Sequence, residues 1–193
     1  IRDYAENNTL AFYDLRAQTG WLRNLILRIC TTGEVMVNVC FKYDDEAQRK
    51  LLFDELLQNI PGITTLLFTI NPKQNDSIFD LTPQVYFGNG YVKERLDDFV
   101  FKIGPKSFFQ TNTYQAGMLY RTVRDMARLS GTETVYDLYC GAGSIGIFVS
   151  RLAKKIFGIE LISEAIADAK ENALLNNVTN AVFFSGDVTD ICT

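Results

Sequence analysis

The stretch that most constrains this chain is residues 134–146, Thr134-Val135-Tyr136-Asp137-Leu138-Tyr139-Cys140-Gly141-Ala142-Gly143-Ser144-Ile145-Gly146. Val135, Leu138 and Tyr139 sit among β-formers, so the first half reads as a short buried strand. Gly141, Gly143 and Gly146 follow with Gly-x-Gly-x-x-Gly spacing, and residues 145–153 are apolar enough for a packed helix. A strand that turns into a helix through glycines lets backbone N–H groups approach a ligand closely.

Two ligand classes compete for such a turn. A nicotinamide or flavin dinucleotide would lay its pyrophosphate on the helix N-terminus, with an acid about 20 residues on for the ribose. Glu160 stands at about that separation from Gly141, so spacing alone leaves the dinucleotide open. Asp137 argues against it, because a carboxylate beside the glycines repels a pyrophosphate. S-adenosylmethionine carries an ammonium, a sulfonium and a ribose diol, and one acid at the turn with another at the next strand end suits it. The plainer alternative is that Asp137 caps the turn and Glu160 is a solvated strand end.

Composition narrows the class. Hydrophobic residues make up 47% and charged residues 22% of the 193, the balance of an ordinary globular chain of one large or two small domains. No run of about 18 apolar residues predicts a membrane span, and no secretion signal is seen. A cytoplasmic protein, and a monomer, is expected. The start at Ile1 and the stop just after a predicted strand read as a piece of a longer protein. Net charge is −4, with 12 basic against 14 acidic residues before Phe108 and 7 against 9 from it, so each part carries −2. A nucleic-acid partner would have to be met by a local patch, not by a basic domain. The four cysteines (Cys30, Cys40, Cys140 and Cys192) show no metal-ligand spacing, and there is no histidine. A metal site and Ser-His-Asp or Cys-His catalysis are not expected, and the thiols read as reduced and buried.

Along the chain, residues 24–30 and 35–41 predict a hairpin, and Asp44 opens a helix through Gln58 that Pro61-Gly62 stops. A buried strand over 63–70 ends at Asn71-Pro72. Residues 84–87 and 91–95 flank Gly88-Asn89-Gly90, predicting a second hairpin, and 99–103 a further strand. From there the pattern alternates: helix 113–129, strand 134–139, helix 144–154, strand 155–160, helix 163–176 capped by Ser163, and strand 181–185. Such alternation predicts a right-handed parallel α/β sheet, here with too few strands to be complete. The expected architecture is an antiparallel α+β domain over 1–107 followed by a partial α/β domain over 108–193.

Gly104-Pro105-Lys106-Ser107-Phe108-Phe109-Gln110-Thr111-Asn112 stands directly before the first helix of the α/β part. With Asp137-Leu138-Tyr139-Cys140-Gly141-Ala142-Gly143, Gly158-Ile159-Glu160, the run 165–173 and Leu22-Arg23-Asn24-Leu25-Ile26-Leu27-Arg28, it resembles the RNA uracil-C5 methyltransferase family. The resemblance implies that the second part is the N-terminal half of a Rossmann-like, S-adenosylmethionine-dependent methyltransferase fold. It implies that Gln110, Tyr139 and Gly141 touch the cofactor, that Glu160 binds the ribose hydroxyls, and that Asp187 lies near the adenine. It also implies a cysteine that adds to uracil C6, so that C5 takes the methyl group, and a base that then removes the C5 proton.

In that family the nucleophile and base lie beyond Asp187, so no catalytic residue is expected here, and the chain alone is expected to be inactive. Cys140 belongs to the cofactor loop, and Cys192 lies too early in the fold to match the nucleophile. The implied partner is RNA, ribosomal before transfer RNA, with Arg23 and Arg28 as candidate phosphate contacts beside the alternative of a solvated strand face. The competing functions are a dinucleotide-dependent oxidoreductase and a non-catalytic RNA-binding module.

Overall fold

The computed structural model describes residues 1–191, which fall into two compact units. One comprises residues 1–29 and 33–92, the other residues 30–32 and the chain from Lys93 onward. This division comes earlier than the 107/108 seam expected from the sequence.

The first unit contains α1 (Arg2–Asn7), β1 (Leu22–Ile29), β2 (Val35–Phe41), α2 (Glu46–Asn59), β3 (Thr65–Ile70) and β4 (Gln84–Phe87). Its sheet runs β1-β2-β3-β4. The first hairpin forms as expected, with Leu25 opposite Val39 and Leu27 opposite Val37. The sheet is not wholly antiparallel, however. β2 and β3 are parallel, Val37 opposite Leu66, because α2 crosses over between them and returns the chain in the same direction. Asp45, not Asp44, caps α2 by accepting from the Gln48 amide at 3.0 Å, while Asp44 pairs with Arg49. The core lies between α2 and the sheet. Trp21 stacks on Phe41 at 4.3 Å between centroids, and Leu52, Phe53 and Leu66 are wholly buried around them.

The second hairpin does not form. Gly88 and Gly90 do adopt left-handed conformations (φ 81° and 78°). Yet β4 pairs with β3, Phe68 opposite Gln84, and the strand after the glycines pairs elsewhere. Gly88 serves a close backbone approach instead: a Cβ there would stand 2.1 Å from the Thr64 carbonyl oxygen. Arg23 is likewise not a phosphate contact. Its guanidinium lies 4.0 Å over the Tyr13 ring and donates to the carbonyls of Asn71, Lys73 and Asn75 and to Asp76, which pins the loop after β3. Arg28 is half-buried on the same strand.

β5 (Val92–Leu96), all but its first residue in the second unit, and β6 (Phe99–Ile103) form a two-stranded sheet. The unit continues through α3 (Thr113–Ala127), β7 (Thr134–Leu138), α4 (Ser144–Val149), a 3-10 turn over Ser150–Leu152, β8 (Lys155–Glu160), α5 (Ser163–Leu175), β9 (Ala181–Ser185) and α6 (Val188–Ile191). β7, β8 and β9 form a parallel sheet in that order, with Asp137 opposite Gly158 and Gly158 opposite Phe183. This is the alternation read from the sequence. Ser163 is the exception, being the first residue of α5 and making no cap; its hydroxyl bonds Glu164. β6 belongs with this unit because side chains of α5 hold its backbone: Asn176 bonds Val100, and Asn172 bonds Lys102.

Gly158 shows how tightly the sheet centre is packed. A Cβ there would lie 2.4 Å from Phe183 Cδ1 and 3.0 Å from Cys140 Sγ. Gly158→Ala is expected to cost about 2–3 kcal/mol by overpacking, read as a lower midpoint in urea with an unchanged slope. An unchanged midpoint would show that the Phe183 ring yields freely.

Candidate cofactor site

β7 ends at Leu138, and the chain then turns through Tyr139, whose φ is +62°, before entering the glycine turn. A non-glycine residue in the left-handed region is uncommon and strained. Here it lifts a tyrosine side chain into solvent, 73% exposed, directly at the strand end. Gly141 and Gly143 are also left-handed (φ 53° and 75°). The two serve different ends. A Cβ on Gly141 would meet open space, whereas one on Gly143 would press into Phe183 and Ala169, so Gly143 seats the turn on the core and Gly141 leaves it open.

Two carboxylates hold this turn from within the chain. Asp137 Oδ2 accepts from the Gly146 amide at 2.8 Å, and a Cβ on Gly146 would crowd that oxygen at 3.0 Å. Glu160 Oε2 accepts from the Gly141 amide at 3.1 Å, and its Oε1 from the Ile162 amide at 3.0 Å. Asp137 thus caps the start of α4, as its plainer reading had it. Glu160 is more than a solvated strand end, for it ties the end of β8 to the glycine turn. Burial pushes the Asp137 carboxyl above the usual carboxylate range, against the opposing effect of the Gly146 bond.

Cys140 lies between these acids. Burial, then the charges of Asp137 and Glu160, push its thiol up to about 12. A thiol so held is protonated at neutral pH and unsuited to nucleophilic attack. Cys30 is buried, and burial pushes Cys40 up to about 11. Cys192 lies outside the described residues. Among the described residues no group of three or more His, Cys, Asp or Glu side chains is placed to hold a metal ion.

The remaining candidates are placed at different distances along the chain of contacts. Asp187 follows β9 and is brought beside Glu160 through the sheet, where the Gly186 amide donates to the Glu160 carbonyl at 3.0 Å. Its own carboxylate accepts from the Thr189 amide and hydroxyl, which hold it below the usual range. Gln110 is exposed, two residues before Asn112, which caps α3. The segment that carries it is fastened to α5 where Ser107 Oγ donates to Asp168 Oδ2 at 2.5 Å. Gly141 and Glu160 are therefore in direct contact, and Asp187 directly follows the residue whose amide bonds Glu160. Gln110 is linked to them through α5 and also through α3, whose Tyr120 hydroxyl bonds Ser144 Oγ at 2.7 Å.

Sequence reasoning missed that link. Asn172 is fully buried, accepts from the Lys102 amide and donates to the carbonyl of Ala142 inside the glycine turn. The available signal was Asn172 inside a helix rich in strong formers, one turn before Asn176 at its C-terminal cap, since asparagine is a poor interior helix residue.

Residues 129–193 match a family model described as a methyltransferase domain. Over its whole length the chain is 48% identical to an uncharacterized RNA methyltransferase of Bacteroides thetaiotaomicron and 46% identical to one of Porphyromonas gingivalis. The chain is homologous to RNA methyltransferases. It spans less than half of these relatives, 43% and 42% of their lengths. Among solved structures it is similar to the Pyrococcus abyssi tRNA (uracil-54, C5)-methyltransferase in complex with S-adenosyl-L-homocysteine. The TM-score is 0.77 and the identity 28%, over 96% of this chain and 44% of that one. The Rossmann-like methyltransferase fold expected of the second unit is thus the one observed. Among the described residues of this homologue, no helix is long and apolar enough to cross a membrane.

Proposed function

We propose that this stretch holds S-adenosylmethionine for an RNA methyltransferase that methylates C5 of uridine, in ribosomal or transfer RNA. The observation that carries the reading is that the chain's own carboxylates already occupy the amides of Gly141 and Gly146. A dinucleotide would need turn amides of this kind for its pyrophosphate and would meet two acids. A cationic ligand meets the same acids favourably, so the residues present fit the methyl donor.

In this reading Glu160 binds the ribose hydroxyls, Asp187 adjoins the adenine, and Gln110 and Tyr139 close over the cofactor from the open side of Gly141. Asp137 supplies negative potential behind the turn. The bound donor contributes an electrophilic methyl group on a positively charged sulfur. The residues of this chain orient it and hold it at the strand ends. Among the described residues none supplies the attacking thiolate, since Cys140 is buried among acids and Cys30 and Cys40 are buried as well.

Isothermal titration of the 193-residue chain tests the reading. S-adenosylhomocysteine is expected to bind and NADH to give no heat. Binding of NADH in its place would mark an oxidoreductase, and RNA binding without either ligand a non-catalytic RNA module. Methylation of ribosomal or transfer RNA by the purified chain alone, with host enzymes excluded, would overturn the assignment of the thiolate elsewhere.

A further inference from the structure

We propose that Asn172 is a positioning residue that fixes the glycine turn relative to the segment bearing Gln110. The inference deepens the cofactor reading above and rests on it. Two asparagines one turn apart, Asn172 within α5 and Asn176 at its C-terminal cap, bond the edge of β6 as a neighbouring strand would. Asn176 accepts from the Val100 amide at 2.8 Å and donates to the Val100 carbonyl at 2.7 Å. Asn172 does the same two residues on, accepting from the Lys102 amide at 2.7 Å and donating to the Lys102 carbonyl at 3.3 Å. Since a backbone N–H can only donate, both amide orientations are fixed by their surroundings.

The two side chains differ in their last bond. Asn176 donates it to the Asn172 carbonyl, within α5 itself. Asn172 donates it to the Ala142 carbonyl at 3.3 Å, between the two left-handed glycines. Asn172 is wholly buried, so no water replaces that donor if it is lost. Six residues of Gly104–Phe109 separate β6 from Gln110, and Ser107 pins them to the same helix through Asp168. One buried amide therefore joins both walls that the cofactor would touch. The Lys102–Glu171 ion pair closes the outer side of the same junction.

A matched pair of variants separates positioning from general stability. Asn172→Asp and Asn176→Asp each keep the oxygen that accepts from β6 and lose the donor to a β6 carbonyl. Only Asn172→Asp also orphans Ala142. Asn172→Asp is expected to weaken S-adenosylhomocysteine binding about 10-fold, and Asn176→Asp no more than about 2-fold, although both lower thermal stability. Hydrogen exchange at residues 140–144, followed without ligand, is expected to quicken in Asn172→Asp and not in Asn176→Asp. Equal affinity losses or equal exchange in the two variants would overturn the positioning role. Failure of the wild-type chain to bind S-adenosylhomocysteine would instead overturn the cofactor reading itself, with the exchange comparison still deciding whether Asn172 sets the turn.

Discussion

Replacing Glu160 by alanine is expected to weaken S-adenosylhomocysteine binding about 100-fold. The carboxylate accepts from two backbone amides, Gly141 and Ile162, and in the proposed site also offers oxygens to the ribose. Hydrogen bonds to a charged group contribute roughly 1.5–3 kcal/mol each, and about 1.4 kcal/mol is a factor of ten in affinity. Loss of the two contacts the carboxylate would make to the ribose hydroxyls, at the low end of that range, therefore sets the size of the effect. Glu160→Gln, which keeps one acceptor oxygen and loses the charge, is expected to fall between wild type and alanine. Titration calorimetry at fixed ionic strength reads both. Wild-type affinity in Glu160→Ala would remove this residue from the site.

Asp137→Asn is expected to move binding and stability in opposite directions. The asparagine oxygen can still accept from the Gly146 amide, so the cap on α4 survives. What is lost is a half-buried negative charge behind the turn. Burial raises the Asp137 pKa, so the folded chain keeps its proton to a higher pH than the unfolded chain does. The stability that this group contributes is present below the unfolded carboxylate value, 3.8, and is lost as pH rises through the higher folded value. At neutral pH the charge therefore weakens the fold, and Asp137→Asn is expected to equal or exceed wild type in urea. The same change is expected to lower affinity for the cationic methyl donor by about 10-fold or more, and affinity for uncharged adenosine far less. Asp137→Ala, which also orphans the Gly146 amide, is expected to lose stability instead. A destabilised Asp137→Asn would show that the charge itself, and not the hydrogen bond, holds the turn.

The second unit was legible because its signals are local. Glycine spacing, strand-forming runs and acids at strand ends announced β7, β8, β9 and the turn, and β8 and β9 form over the very residues expected. The first unit failed where the deciding contact is distant in sequence. Gly88-Asn89-Gly90 has hairpin chemistry, but β4 found β3 across a loop, and local turn preference carries no information about which strand is the partner. The parallel pairing of β2 with β3 was hidden for the same reason, although a helix between two strands was the available hint. Arg23 on an alternating strand resembled a solvent-facing cation, yet the loop after β3 folds back and surrounds it. Of the site, the acids and glycines could be read directly; Asn172 could not, because its role exists only once α5 lies beside both β6 and the turn.

The bonds from Glu160 to Gly141 and from Asn172 to Ala142 mean that the turn is ordered before any ligand arrives. The conformational entropy of that segment is lost when the chain folds, not when it binds. Association should then be fast and largely rigid-body, with little extra protection of the turn from exchange on saturation. Evolving tighter binding at this site would be a matter of adding contacts rather than of stiffening a scaffold that is already set.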